Sequence, residues 1–137
     1  ASRCKELMDA FYGPHFQAVF DFANFVQVGQ ETLPAYELLK PYVTYVHVKD
    51  AQWGTGTVVP ASQGDGHVGE ILADLIGGGW KGFLSLEPHL TDFAGLAALE
   101  QDPQKRGSAL DGKAAWKLAL DALHTILETI PQAKEAL

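Results

Sequence analysis

Apolar residues fall into three short continuous runs, separated by longer segments in which they recur every three or four positions. The runs read as strands: roughly Gln17 to Phe22, Tyr42 to about Lys49, and Phe83 to Pro88. They are rich in β-branched and aromatic residues and too short for buried helices. The periodic segments read as helices. Ser2 to Phe11 is stopped by Gly13-Pro14, and Val68 to Ile76 is ended by three glycines, Gly77 to Gly79. A third helix starts at Thr32 as its cap, carries Pro34 in its first turn, presents Tyr36, Leu38 and Leu39 as its apolar face, and closes at Pro41. The last helix, about Lys113 to Ile130, is expected to bury a stripe of Trp116, Leu120, Leu123, Leu127 and Ile130.

Between these elements lie three irregular stretches. Ala23 to Gln30 is a loop containing Asn24. Asp50 to His67 is a long glycine-rich loop, of a length that is usually functional or disordered. From Pro88 to Gly112 the chain is irregular and polar, with a short helix around Phe93 to Leu99. No internal repeat of fixed period is present.

Strict alternation of helices with near-continuous apolar strands predicts a parallel sheet, either doubly wound or part of a (β/α)8 barrel. Three strands are few for either, and a whole barrel needs about 250 residues. At 137 residues the chain, a single partial domain over 1–137, is the right size for the second, C-terminal half of a TIM barrel. The chain begins at Ala1 and its first methionine is Met8, so it is expected not to start where its gene starts.

In both architectures function gathers at the C-terminal ends of the strands. Each strand delivers one metal-capable side chain there: Asp21, His47 and Glu87. Two carboxylates and an imidazole suit Mn²⁺, Mg²⁺, Co²⁺ or Zn²⁺. Lys49 shares a strand face with His47, and its ammonium would hold a substrate oxygen or phosphate. Asp50 would act as an outer acceptor that fixes the tautomer of a ligating histidine. Each residue also has a plainer role: helix cap for Asp21, satisfied core histidine for His47, simple turn for Gly64-Asp65-Gly66. Their joint placement, one per strand at the same end, favours the metal reading. His67 and His89 lie near the same rim without a supporting pattern.

Charge narrows the classes further. A net charge of −7 argues against nucleic acid or an anionic membrane as partner. Cys4 stands alone, which excludes an internal disulfide and suits a reducing, cytoplasmic setting. No apolar run reaches the ~20 residues that cross a bilayer, and no secretory pattern opens the chain.

The segments FDFANF, YVHVKD, GDG before a helix and GWKGFLSLEPH, in that order, resemble the sugar phosphate isomerase/epimerase family with the xylose-isomerase-like TIM barrel. The resemblance spans Val19 to roughly Leu90, and the last helix fits the helix that closes such a barrel. It implies a metal site of Glu, Asp, His and Glu from strands five to eight, here Asp21, His47 and Glu87 from six, seven and eight. The strand-five glutamate has no counterpart. Asn24 stands where relatives often carry a histidine, and the arginine some epimerases place after the metal-binding histidine has no match near Trp53. Candidate substrate-binding residues are Asn24, Lys49, Asp50 and Asp65, with Glu87 catalytic. The implied chemistry is proton transfer next to a carbonyl of a sugar or sugar phosphate, through an enediolate. The alternatives are an inosose-type dehydratase using the same chemistry, and a non-catalytic fragment stabilised by self-association through its open sheet edges.

Overall fold

A computed structural model of the chain describes residues 1–91 and 110–133. The helix expected around Phe93 to Leu99 lies outside the described residues. Three strands, β1 (Ala18–Asp21), β2 (Val43–Val48) and β5 (Phe83–Leu86), form one sheet in the order β1-β2-β5, parallel throughout. Helices α1 (Ser2–Phe11), α2 (Phe22–Gln27), α3 (Thr32–Leu39), α4 (Val68–Gly77) and α5 (Gly112–Thr129) alternate with them. Within the long glycine-rich segment, β3 (Asp50–Ala51) and β4 (Val58–Val59) pair as a short antiparallel ribbon. Among the described residues no helix is long and apolar enough to cross a membrane.

The two faces of the sheet have opposite fates. Phe20 and Val46 are fully buried and pack with Tyr36, Ile71 and Leu72 from the helices. Side chains alternate along a strand, so Val19, Tyr45 and Phe83, paired in register, point the other way. Val19 is 53% exposed and Phe83 75% exposed, an open apolar surface no described helix covers. Two residues further along the same face, the register sets Asp21 beside His47 and His47 beside Ser85. The apolar end of this face is therefore continuous with the polar end that carries the candidate ligands.

Four local expectations change. The loop after β1 is a helix, α2, because the Oδ1 of Asp21 accepts the N–H of Asn24 at 3.0 Å and caps its first turn. Thr32 does not cap α3: Glu31 precedes the helix without a side-chain cap bond, and Thr32 lies 1% exposed inside the first turn. On α3 the buried face is Ala35, Tyr36 and Leu39, with Leu38 turned outward. Along α5 and its end Leu123, Leu127 and Ile130 are buried as expected, but Trp116 and Leu120 are exposed, and Ala115 and Ala119 pack against Val58 and Leu90 instead. Methyl-sized side chains let the helix backbone approach closely, which an indole at the seam would prevent.

The seam between β2 and β5 is closed by Trp80. Its indole N–H donates to the carbonyl of Val43 at 2.7 Å. Gly82 makes this possible, since a Cβ there would sit 2.0 Å from the Trp80 ring and 2.2 Å from the carbonyl oxygen of Thr44.

Candidate metal centre

Parallel pairing brings four side chains of the open face together at the C-terminal rim. Asp21 ends β1, His47 lies one residue before the end of β2, and Lys49 and Glu87 follow β2 and β5 directly. The N–H of Glu87 donates to the carbonyl of Val48 at 3.2 Å, carrying the pairing one step beyond β5 and holding Glu87 level with Lys49.

One ligand atom from each of Asp21, His47 and Glu87 lies within 4.8 Å of the other two. His47 Nδ1 is 3.4 Å from Glu87 Oε2 and 3.7 Å from Asp21 Oδ2. The Lys49 ammonium sits against both carboxylates, 2.7 Å from Glu87 Oε2 and 3.1 Å from Asp21 Oδ2. Only the first contact is an aligned hydrogen bond. Asp21 Oδ2 is buried and has no hydrogen-bond donor among the described residues. Lys49 offers that oxygen charge without a directed N–H. A buried oxygen of this kind, facing a second carboxylate and an imidazole, fits a hard or borderline divalent cation.

The electrostatics follow from burial. Asp21 is 7% exposed, and burial raises its carboxyl above the ordinary 3.8 against the charge of Lys49 and the Asn24 N–H. Glu87 is more open. Burial works to raise it too, but the hydrogen bond and charge of Lys49, with the two neighbouring imidazoles, outweigh burial and hold it below 4.5. The same ammonium thus leaves the two acids on opposite sides of their ordinary values, because Asp21 is the more deeply buried of the two.

His89 belongs to the cluster as well. Its Nε2 lies 3.4 Å from Glu87 Oε1, and burial, then Lys49, lowers its pKa below 6.5. Its backbone is left-handed, φ 37°, a conformation that non-glycine residues seldom adopt. In the sequence His89 stands two residues after Glu87, on the far side of Pro88, and closes the GWKGFLSLEPH segment.

The other candidates lie elsewhere. Asn24 is exposed in the first turn of α2. Asp50 is fully buried, and its carboxylate accepts four backbone N–H groups. Oδ1 takes those of Ala51 and Gly66, both at 2.8 Å, and Oδ2 takes those of Ser62 and Gly64, both at 3.0 Å. It folds the loop that follows β2. Asp65 accepts the backbone N–H of Trp53 at 2.6 Å and, with Trp53, His67 and Glu31, lines a cavity that includes none of the three ligand candidates.

This arrangement of strands, helices and rim is that of part of a (β/α)8 barrel. The chain is similar to a xylose isomerase domain protein from Planctomyces limnophilus, whose crystal structure it matches with a TM-score of 0.68 and 22% sequence identity. The match covers 94% of this chain and 44% of that one, so the chain spans less than half the length of the protein it resembles. No protein-family model matches the sequence, and no curated protein does.

Proposed function

We propose that the chain is the metal-binding part of a divalent-metal-dependent sugar or sugar phosphate isomerase or epimerase of the xylose-isomerase-like family. The observation that carries this reading is the convergence of Asp21, His47 and Glu87 within 4.8 Å on the open face of a barrel-type sheet. These three residues would hold Mn²⁺, Mg²⁺, Co²⁺ or Zn²⁺, which when bound supplies Lewis-acid polarisation of a carbonyl oxygen. Glu87, ionised at neutral pH, would take or return the proton on the carbon beside that carbonyl. Lys49 would donate to a substrate oxygen or phosphate, and Asn24 to a hydroxyl. An inosose-type dehydratase would use the same groups for the same proton abstraction.

Proton transfer in both directions needs a second carboxylate as partner to Glu87. Among the described residues only Asp21 joins it in the cluster. The 137-residue chain by itself is therefore expected to bind Mn²⁺ weakly at one site and to interconvert no aldose and ketose. Mn²⁺ titration followed by electron paramagnetic resonance checks the first point, and absence of binding would overturn the metal reading. Turnover near ordinary enzyme rates, about 1–10³ per second, would overturn the need for a second carboxylate.

The open sheet favours a second reading, in which copies of the chain associate. Among the described residues nothing pairs with the outer edges of β1 and β5. Unpaired edges beside exposed Val19 and Phe83 invite another strand. Light scattering discriminates: a dimer supports edge pairing, and a monodisperse monomer counts against it. The exposed lone Cys4 supports a cytoplasmic setting, and the charge of −7 a small-molecule partner rather than nucleic acid or membrane.

A further inference from the structure

Lys49 touches the two carboxylate oxygens that the cluster offers to a cation. The atoms are the same ones: Glu87 Oε2 and Asp21 Oδ2 face both His47 Nδ1 and the Lys49 ammonium. The Lys49 side chain is 6% exposed, so its ammonium is a buried charge held by these two acids rather than a solvated chain end resting on them. Its strand position explains why it stays. Val48, on the opposite face, is 2% exposed and anchored in the core, which fixes the backbone from which the lysine stem rises.

We infer that Lys49 is an internal stand-in for the divalent cation: its ammonium fills the carboxylate side of the centre, and a metal ion binds only by displacing it. The inference rests on the metal-centre reading given above. An ammonium hydrogen-bonded to Glu87 Oε2 and a cation coordinated by that oxygen compete for the same lone pairs, and two cations that close repel. Exchange between them costs the site little geometry. The lysine has four rotatable carbons, while Asp21 is fixed by its Asn24 bond and Glu87 by its backbone bond to Val48. The design has two consequences. Without metal, the buried acids keep a counter-charge and the rim stays assembled. With metal, the displaced ammonium becomes a free donor beside the cluster, available to a substrate oxygen or phosphate only once the cation is in place. Metal loading and substrate capture are thereby ordered by one side chain.

The inference sets Lys49 apart from a residue that merely neutralises the acids. A neutralising lysine supports the ligand set, so its loss would weaken metal binding. A competing lysine suppresses binding, so its loss tightens it. If the ammonium holds the site nine-tenths of the time, Lys49→Met binds Mn²⁺ about tenfold more tightly than the parent chain. The variant should also melt at a lower temperature without metal, because Asp21 loses its counter-charge, and recover on Mn²⁺ addition. Mn²⁺ affinity of parent and variant, read by paramagnetic resonance, is the test. Equal or weaker binding by a folded Lys49→Met overturns the inference and leaves the metal centre standing. Binding by neither protein overturns the metal centre, and the inference with it. Should the variant fail to fold, the parent chain decides alone. Amine acylation of Lys49, quantified by mass spectrometry, should rise several-fold on saturation with Mn²⁺, and labelling that is unchanged or slowed overturns the displacement.

Discussion

Asp50→Ala is expected to unfold the segment between β2 and α4 and to cost about 4 kcal/mol, at ~1 kcal/mol or more for each of four stranded N–H donors. That is a large share of the roughly 5–15 kcal/mol by which domains are stable. The side chain is fully buried, so water cannot readily replace it. The glycines around it are part of the same unit. A Cβ on Gly66 would lie 2.6 Å from Asp50 Oδ1, and one on Gly64 would lie 2.4 Å from the Ala51 carbonyl oxygen. Gly64→Ala and Gly66→Ala should therefore destabilise in the same direction. Urea unfolding of the three variants checks this. A loss below about 1 kcal/mol for Asp50→Ala would mean that the loop is held by something else.

Glu87→Gln is expected to weaken Mn²⁺ binding by more than about 100-fold, beyond the 10–100-fold typical of losing an outer-shell partner. The substitution keeps shape, and the amide oxygen can still accept from Lys49, so the circular dichroism spectrum should be unchanged. Unaltered affinity in the folded variant would remove Glu87 from the ligand set. The pH dependence of the parent chain should carry the signature of Asp21. Its carboxyl is raised above 3.8 by burial, so protons compete with the cation earlier in acid than at an ordinary aspartate. The part of the affinity that Asp21 supplies is present above its raised pKa and is lost as pH drops through it. Glu87, held below its ordinary 4.5, remains ionised over that window. Asp21→Asn, which puts a neutral amide in place of the carboxylate, should weaken Mn²⁺ binding and remove this fall from what remains.

The alternation of strands and helices was legible because the apolar runs are dense and their ends are marked by glycine and proline. The three ligand candidates could be placed for the same reason: a parallel sheet puts all C-terminal strand ends on one rim. What local pattern could not supply was tertiary. Asp50 follows Lys49 directly, and strand alternation turns the two side chains to opposite faces, one to the cluster and one to the loop. The four donors that bind Asp50 come from as far away as Gly66. On α5, apolar periodicity marked a broad stripe, and only the close approach of Ala115 and Ala119 to Val58 decided which side faced inward. α2 was hidden because its cap, Asp21, also reads as a ligand. His89 was hidden because a left-handed backbone after a proline leaves no periodic trace.

The clasp at Trp80 has a practical consequence in the spectrum of the protein. The other two indoles, Trp53 and Trp116, are 48% and 53% exposed and should emit as solvated tryptophan, open to a dissolved quencher. Trp80 is partly shielded, with its N–H committed to the Val43 carbonyl. Acrylamide should therefore silence the first two preferentially and leave a bluer residual emission from the junction of β2 and β5. That residual signal is a built-in optical gauge of whether the strand carrying Glu87 is still docked.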